Sequence, residues 1–299
     1  MLKILHAIIS SLFIVIGLAT PPPGHAPPLL GLVLTPGGQQ DSANVHIVPD
    51  RARITRVVSE IHVFHENGTL FKTVPVTNAG PPSNVTRRVA PAASGWITYA
   101  YWYKTTGDPI AWFETDFVVP PAPASCTGQT VFLFPGIEPA SGTSIVQPVL
   151  QYGPSSIGGG NFWVIACWYV VGTQYFATKL SQVPVGLALR GLIDLEYVAT
   201  PTDWSYWVGM YVAGGDIGMR IDSPEELVWA TLTLEAYNIV GPQSYPAGPT
   251  TFSDVLIRVG DWEWDDPGSS WSVVNDATEG ITTNVVVNSM SDGVVVIDY

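Results

Sequence analysis

Histidine is missing from residues 89–299: all five, His6, His25, His46, His62 and His65, precede Arg88. That absence excludes a Ser-His-Asp or Cys-His catalytic unit, and a histidine-ligated zinc site, from the larger part of the chain. Chemistry there has to come from carboxylates, amides, hydroxyls or lysine. Cysteine is nearly as scarce, with only Cys126 and Cys167. In a secreted chain an even pair can form one disulfide, and a buried free thiol at Cys167, which lies among apolar residues, fits equally well. Basic residues thin out after Arg88, where five face 21 acids, whereas up to Arg88 seven face four. So acidic a body repels phosphate backbones, which speaks against a nucleic-acid partner. Beyond residue 20 no apolar run is long enough to cross a bilayer, so no membrane association is expected.

What the sequence has in quantity is apolar residues, at 46% against 12% charged, which supports a sizeable core. Its 29 Gly, 26 Pro, 11 Trp, 12 Tyr and 10 Phe favour many short strands separated by turns. From Gly95 onward strand-like runs recur every 10 to 15 residues, including Trp96 to Lys104, Ser144 to Tyr152, Phe162 to Val171, Leu227 to Tyr237 and Phe252 to Val259. No segment sustains a 3.6-residue apolar period, so the expectation is an all-β chain folded as a two-sheet antiparallel β-sandwich, with a barrel as the other closed form.

The N-terminal third reads differently. Residues 1–20, with Lys3, an apolar run from Ile8 to Leu18 and small residues near Ala19, form a signal peptide pattern, so a secreted, extracellular product is expected. Residues 21–88 read as a Pro/Gly-rich linker and a prosegment-like region with a short hairpin, Glu60 to His65 against Leu70 to Val74 across Asn67-Gly68. Asn67 and Asn84 head glycosylation sequons, and Arg87-Arg88 is a candidate dibasic processing site. Residues 89–299 form the sandwich domain.

Two strands carry candidate chemistry. Period-2 reading of Leu227 to Glu235 puts Trp229, Thr231, Thr233 and Glu235 on one face, suited either to a substrate surface or to plain solvent exposure. The same parity in Ile145 to Gln151 puts Gln147 and Gln151 together, and an amide can donate a hydrogen bond without changing charge. Asp261-Trp262-Glu263-Trp264-Asp265 offers three acids at period 2, but Asp266-Pro267-Gly268 interrupts the run at once.

Several short motifs between residues 96 and 260 resemble, in order, those of the fungal glutamic peptidases, or eqolisins. Phe117-Val118-Val119-Pro120 is similar to the Phe-Val-Val-Pro that opens that family's sandwich, and Phe134-Pro135-Gly136-Ile137-Glu138 to its Trp-Val-Gly-Ile-Asp. Ile145-Val146-Gln147 resembles its Ile-Leu-Gln, Trp168-Tyr169 the end of its Trp-Tyr-Glu-Trp-Tyr, Ala230 to Glu235 its Ala-Glu-Trp-Ile-Val-Glu, and Thr250-Thr251-Phe252 its Val-Thr-Phe. The resemblance implies a divergent member with a concanavalin-like sandwich, acting on proteins or peptides in acid as a monomer, with no cofactor and no metal. Carried over by position, Gln147 and Glu235 are the catalytic pair: Glu235 takes a proton from water and the Gln147 amide binds the oxyanion. Phe134, Glu138, Gln151, Cys167, Trp229 and Thr233 would support the site or bind substrate. Gln151 and Cys167 stand where the family has acids, which alters the electrostatics around Glu235. The family's signal peptide and removable basic prosegment match the charge split at Arg88.

Two further readings stand beside this one. A glycosidase would use carboxylates of the Asp261, Glu263 and Asp265 run. A non-catalytic carbohydrate-binding sandwich would use tryptophans on exposed faces, with Trp96, Trp102, Trp163, Trp204, Trp207 and Trp229 as candidates.

Overall fold

The structure, a computed structural model, describes residues 31–76, 95–104, 107–260, 270–275 and 279–299. They form 21 strands: β1 (Leu32–Thr35), β2 (Gly38–Asp41), β3 (Val45–Ile47), β4 (Ala52–Val57), β5 (Glu60–Phe64), β6 (Leu70–Pro75), β7 (Trp96–Tyr103), β8 (Ile110–Val118), β9 (Thr130–Pro139), β10 (Ser144–Ser155), β11 (Gly158–Val171), β12 (Gln174–Ala177), β13 (Ser181–Gln182), β14 (Ala188–Thr200), β15 (Asp203–Val212), β16 (Gly215–Ser223), β17 (Leu227–Tyr237), β18 (Thr250–Val259), β19 (Ser272–Asn275), β20 (Thr282–Val287) and β21 (Gly293–Asp298). The only helical pieces among the described residues are two single 3-10 turns, Ser42–Asn44 and Pro242–Ser244.

Two large sheets make a β-sandwich. The first runs β19-β7-β17-β9-β10-β11-β12-β3, with β13 beside β11; the second runs β20-β21-β18-β8-β14-β15-β16-β4-β5-β6. Their facing sides share one apolar core, built from residues such as Trp102, Leu133, Ile165, Leu232, Phe113, Val208 and Met219. The alternation that places Ala230, Leu232 and Leu234 in this core turns Trp229, Thr231, Thr233 and Glu235 to the opposite side of the first sheet. Strand β9 is buried throughout its length, on both faces. A smaller apolar cluster, with Phe132, Phe134, Val149, Ala166, Trp168 and Tyr175, lines that opposite side.

The N-terminal third departs most from its sequence reading. Residues 32–41 form the β1–β2 hairpin rather than linker, because Leu32 to Thr35 pairs with Gly38 to Asp41 across a Pro-Gly turn. The expected hairpin appears as β5 and β6. Strands β3 to β6 extend both sheets, and two of the joins are parallel: β3 with β12, and β4 with β16. The sandwich is therefore antiparallel except where this segment enters it. Asn84, Arg87, Arg88 and the run Asp261 to Asp265 lie outside the described residues.

Candidate functional site

The register of the first sheet sorts its outer face into rows. Glu235 on β17 is opposite Phe132 on β9, and Phe132 is opposite Gln151 on β10. Gln151 in turn faces Val164 on β11. One row away, Thr233 pairs with Phe134; two rows away Thr231 pairs with Gly136, the level at which Gln147 stands beside Trp168. Trp229 and Glu138 form the next row. Gln147 and Glu235 are thus four residues out of step, roughly 13 Å along the strands at about 3.3 Å per residue, besides the intervening strand. Two side chains so placed do not meet on one carbonyl group. The amide that shares a row with Glu235 is Gln151.

Glu235 is fully buried. Its Oε1 accepts a hydrogen bond from the Gly37 backbone N–H at 2.6 Å and another from the Tyr237 hydroxyl. Its Oε2 is buried with no hydrogen-bond partner. Burial pushes the carboxyl up to about 7, with Tyr237, Gly37 and Trp96 opposing the shift by smaller amounts. The Tyr237 hydroxyl is itself pushed well up, by burial and then by Glu235. Thr231 and Thr233, on the same side of β17, share a hydroxyl hydrogen bond of 2.6 Å.

Gln151 is equally enclosed. Its Nε2 donates to the carbonyls of Gly153 at 2.8 Å and Gly158 at 3.1 Å, while Oε1 is buried without a partner. The β10–β11 hairpin holds it there: Gly159 has φ +101°, and a Cβ at that position would lie 2.4 Å from Gln151 Nε2. Both amide hydrogens are committed to carbonyls in this arrangement.

Aromatic rings line one end of the face. Trp96 and Trp229 stack at 6.0 Å and 7°, with Tyr99 edge-on to both and Tyr101 tilted against Trp229. The Tyr99 hydroxyl is pushed up to about 12 by burial, with Tyr101 and Glu138 adding to it. The Trp229 face is therefore neither bare nor solvent-washed: Thr231, Thr233 and Glu235 are all covered. Of the six tryptophans expected on exposed faces, Trp102, Trp163 and Trp207 are buried.

The remaining sequence candidates are scattered. Cys167 faces the main core, opposite the side that carries Glu235, and burial holds its thiol well up. Cys126 is exposed with its sulfur 3.0 Å from the Tyr152 hydroxyl, and the two cysteines are not bonded to each other. Phe134 and Glu138 are buried on β9. Asn67 sits in an exposed turn, where its Oδ1 accepts from the Thr69 N–H and hydroxyl. Among the described residues no three His, Cys, Asp or Glu side chains converge as a metal site would require.

Sequence reading did not find Tyr237 or Gly37. Extending the β17 alternation by one step from Glu235 reaches Tyr237. Nothing local announces Gly37, which lies 198 residues from the carboxylate it touches.

No family model and no curated protein matches the chain. Among solved structures it is similar to scytalido-glutamic peptidase with a transition state analog inhibitor, at 13% identity over 69% of this chain and 98% of the other, with a TM-score of 0.45. A second structure of that peptidase, with a peptide-based transition state analog, gives 14%, 68%, 98% and 0.45. SCP-B, a member of the eqolisin family, in complex with the tripeptide Ala-Ile-His, gives 14%, 68%, 98% and 0.42.

Proposed function

We propose that the protein is a secreted, glutamic-type peptidase in which Glu235 activates water against a peptide bond. The observation that carries this reading is Glu235 itself: a fully buried carboxyl held near 7, surrounded by neutral donors only, in a row with an amide. In the reaction the ionised carboxylate takes one proton from the attacking water while the water oxygen bonds to the carbonyl carbon. The carbonyl oxygen becomes an oxyanion. The Glu235 proton then passes to the amide nitrogen as the C–N bond breaks, leaving a carboxylic acid and an amine.

Gln151, rather than Gln147, is the amide proposed to stabilise the oxyanion, because it shares the Glu235 row. To serve, it exchanges one of its carbonyl partners, Gly153 or Gly158, for the oxyanion. The test is digestion of a denatured protein by the purified product alongside Glu235→Gln, Gln151→Ala and Gln147→Ala. Loss in the first two, with Gln147→Ala retaining most activity, supports the reading. Loss in Gln147→Ala with activity kept in Gln151→Ala would refute the assignment of the amide.

The stacked, partly exposed Trp96–Trp229 pair supports a second reading, a carbohydrate-binding face with no catalysis. In that case no variant has proteolysis to lose, and Trp229→Ala abolishes glycan binding.

A further inference from the structure

The turn between β1 and β2 lies on Glu235. Thr35 and Pro36 are buried, Gly37 donates its N–H to the carboxylate, and the backbone turns at Gly37 and Gly38 with φ +95° and +105°. A Cβ at Gly37 would stand 3.9 Å from Tyr175, and one at Gly38 3.7 Å from the Tyr237 hydroxyl, so the turn lies within van der Waals reach of both phenols while the outer side of Gly37 is exposed. One backbone bond ties the hairpin to the β10–β11 turn and another closes its base. Leu34 accepts from the Ser156 N–H at 2.7 Å, and the Ser42 N–H returns to Gly31 at 2.8 Å.

The segment C-terminal to the hairpin is not detachable. Asp41 caps the 3-10 turn Ser42–Asn44, which leads straight into β3. Strand β3 joins β12, and His46 bridges Gln174 at one ring nitrogen and Lys72 at the other, each at 2.8 Å. Strand β4 joins β16; Arg51 makes a two-pronged ion pair with Asp216 and lies over the Trp207 ring, while Arg53 pairs with Asp222. Val48, Ala52, Ile54, Ile61, Val63 and Val74 are all part of the main core. Removing residues 45–76 would strip strands from both sheets and open that core.

We propose that the β1–β2 hairpin is a plug permanently tethered over Glu235: strands β3–β6 anchor it, so cutting the chain at Arg87–Arg88 leaves it in place, and only displacement or removal of the hairpin uncovers the carboxylate. Access to Glu235 takes its functional meaning from the peptidase reading, on which the plug's role in the reaction rests.

The experiment reads access without requiring activity. Glu235 is labelled with a water-soluble carbodiimide and an amine, and quantified by mass spectrometry, in four forms. These are the intact protein, a protein cut at a site-specific protease sequence replacing residues 83–88, a deletion of residues 32–41, and Gly37→Pro. The last removes the donating N–H and places proline at a φ it cannot adopt, which keeps the test alive if the deletion does not fold. Expected are co-elution of both fragments of the cut protein on size exclusion, no labelling of Glu235 in the intact and cut forms, and at least tenfold faster labelling in the deletion or Gly37→Pro. Separation of residues 31–76 from a folded remainder, or equal labelling in intact and hairpin-altered forms, overturns the proposal. If labelling matches the expected pattern while no form hydrolyses peptides, the plug stands and the peptidase reading falls.

Discussion

Replacing Glu235 by glutamine isolates the cost of keeping that carboxyl buried. An ordinary glutamate releases its proton near 4.5, and Glu235 is held up to about 7. Below the unfolded value the group is neutral in both states and imposes no penalty. Between 4.5 and 7 the unfolded chain ionises while the folded chain retains its proton, so stability falls as pH rises. Above 7 both are ionised and the penalty is complete, about 3 kcal/mol for a shift of this size at 1.36 kcal/mol per unit. Glu235→Gln cannot titrate. Its own fixed cost, a buried amide N–H₂ where Oε2 now has no partner, is the same at every pH. Urea unfolding of both proteins from pH 4 to pH 8 therefore gives a stability difference that moves by about 3 kcal/mol in favour of the variant, most of it between about pH 5 and 7.5. Every other titrating group cancels in the difference. Parallel curves across that range would refute the reasoning, because they would mean Glu235 ionises in the folded protein as it does in water.

The fold makes other commitments. Val58 occupies the left-handed region at φ +55° in the β4–β5 turn and is 89% exposed; Val58→Gly relieves the β-branched strain and raises stability by about 1 kcal/mol in the same urea assay. Ile54 lies in the main core on β4, so Ile54→Ala lowers the stability of the whole sandwich by about 3 kcal/mol; an unchanged global transition would mean that the N-terminal strands unfold on their own. A Cβ at Gly159 would stand 2.4 Å from both Gln151 Nε2 and the Gly153 carbonyl oxygen, at φ +101°, so Gly159→Ala shifts Gln151 together with the hairpin backbone that holds it and a sharp fall in peptide hydrolysis is expected; full activity would remove Gln151 from the mechanism.

The period-2 pattern of β17 was enough to divide its residues correctly between core and opposite face, because each side chain's direction is fixed by the strand alone. The same parity put Gln147 and Gln151 on one side of β10. It cannot choose between them, since both satisfy it equally, and the choice depends on how β10, β9 and β17 slide past one another. That register is set by cross-strand pairing over many residues, Val146 with Ile137 and Leu150 with Leu133 among them. The charge switch near Arg88 suggested a boundary that the fold does not observe. Residues 45–76 carry arginines because Arg51 and Arg53 meet Asp216 and Asp222 on β16, so their basic character reflects partners far away in the chain. The Pro-Gly richness of residues 31–43 marks a tight turn, and composition alone does not distinguish that from a linker.

The position of Glu235 bears on the acid preference that the family resemblance implies. A general base has to be ionised before it can accept a proton from water, and with its carboxyl near 7 Glu235 is mostly protonated in acid. The groups that act on it are the Tyr237 phenol, the Trp96 indole and the Gly37 N–H, and phenols are ordinarily neutral below about pH 9. No nearby charge holds the carboxyl up; burial does, and the hairpin is part of that burial. With the hairpin over the carboxylate, hydrolysis by the full chain is therefore expected to be slow, and what there is to be weakest in acid, half-developed at about pH 7 and level about one unit above. In the form lacking residues 32–41 water reaches the carboxylate, and the same rising limb of kcat/KM moves to lower pH. Coincident limbs in the two forms would show that the hairpin does not control the ionisation of Glu235, and acid activity would then have to rest on a different base.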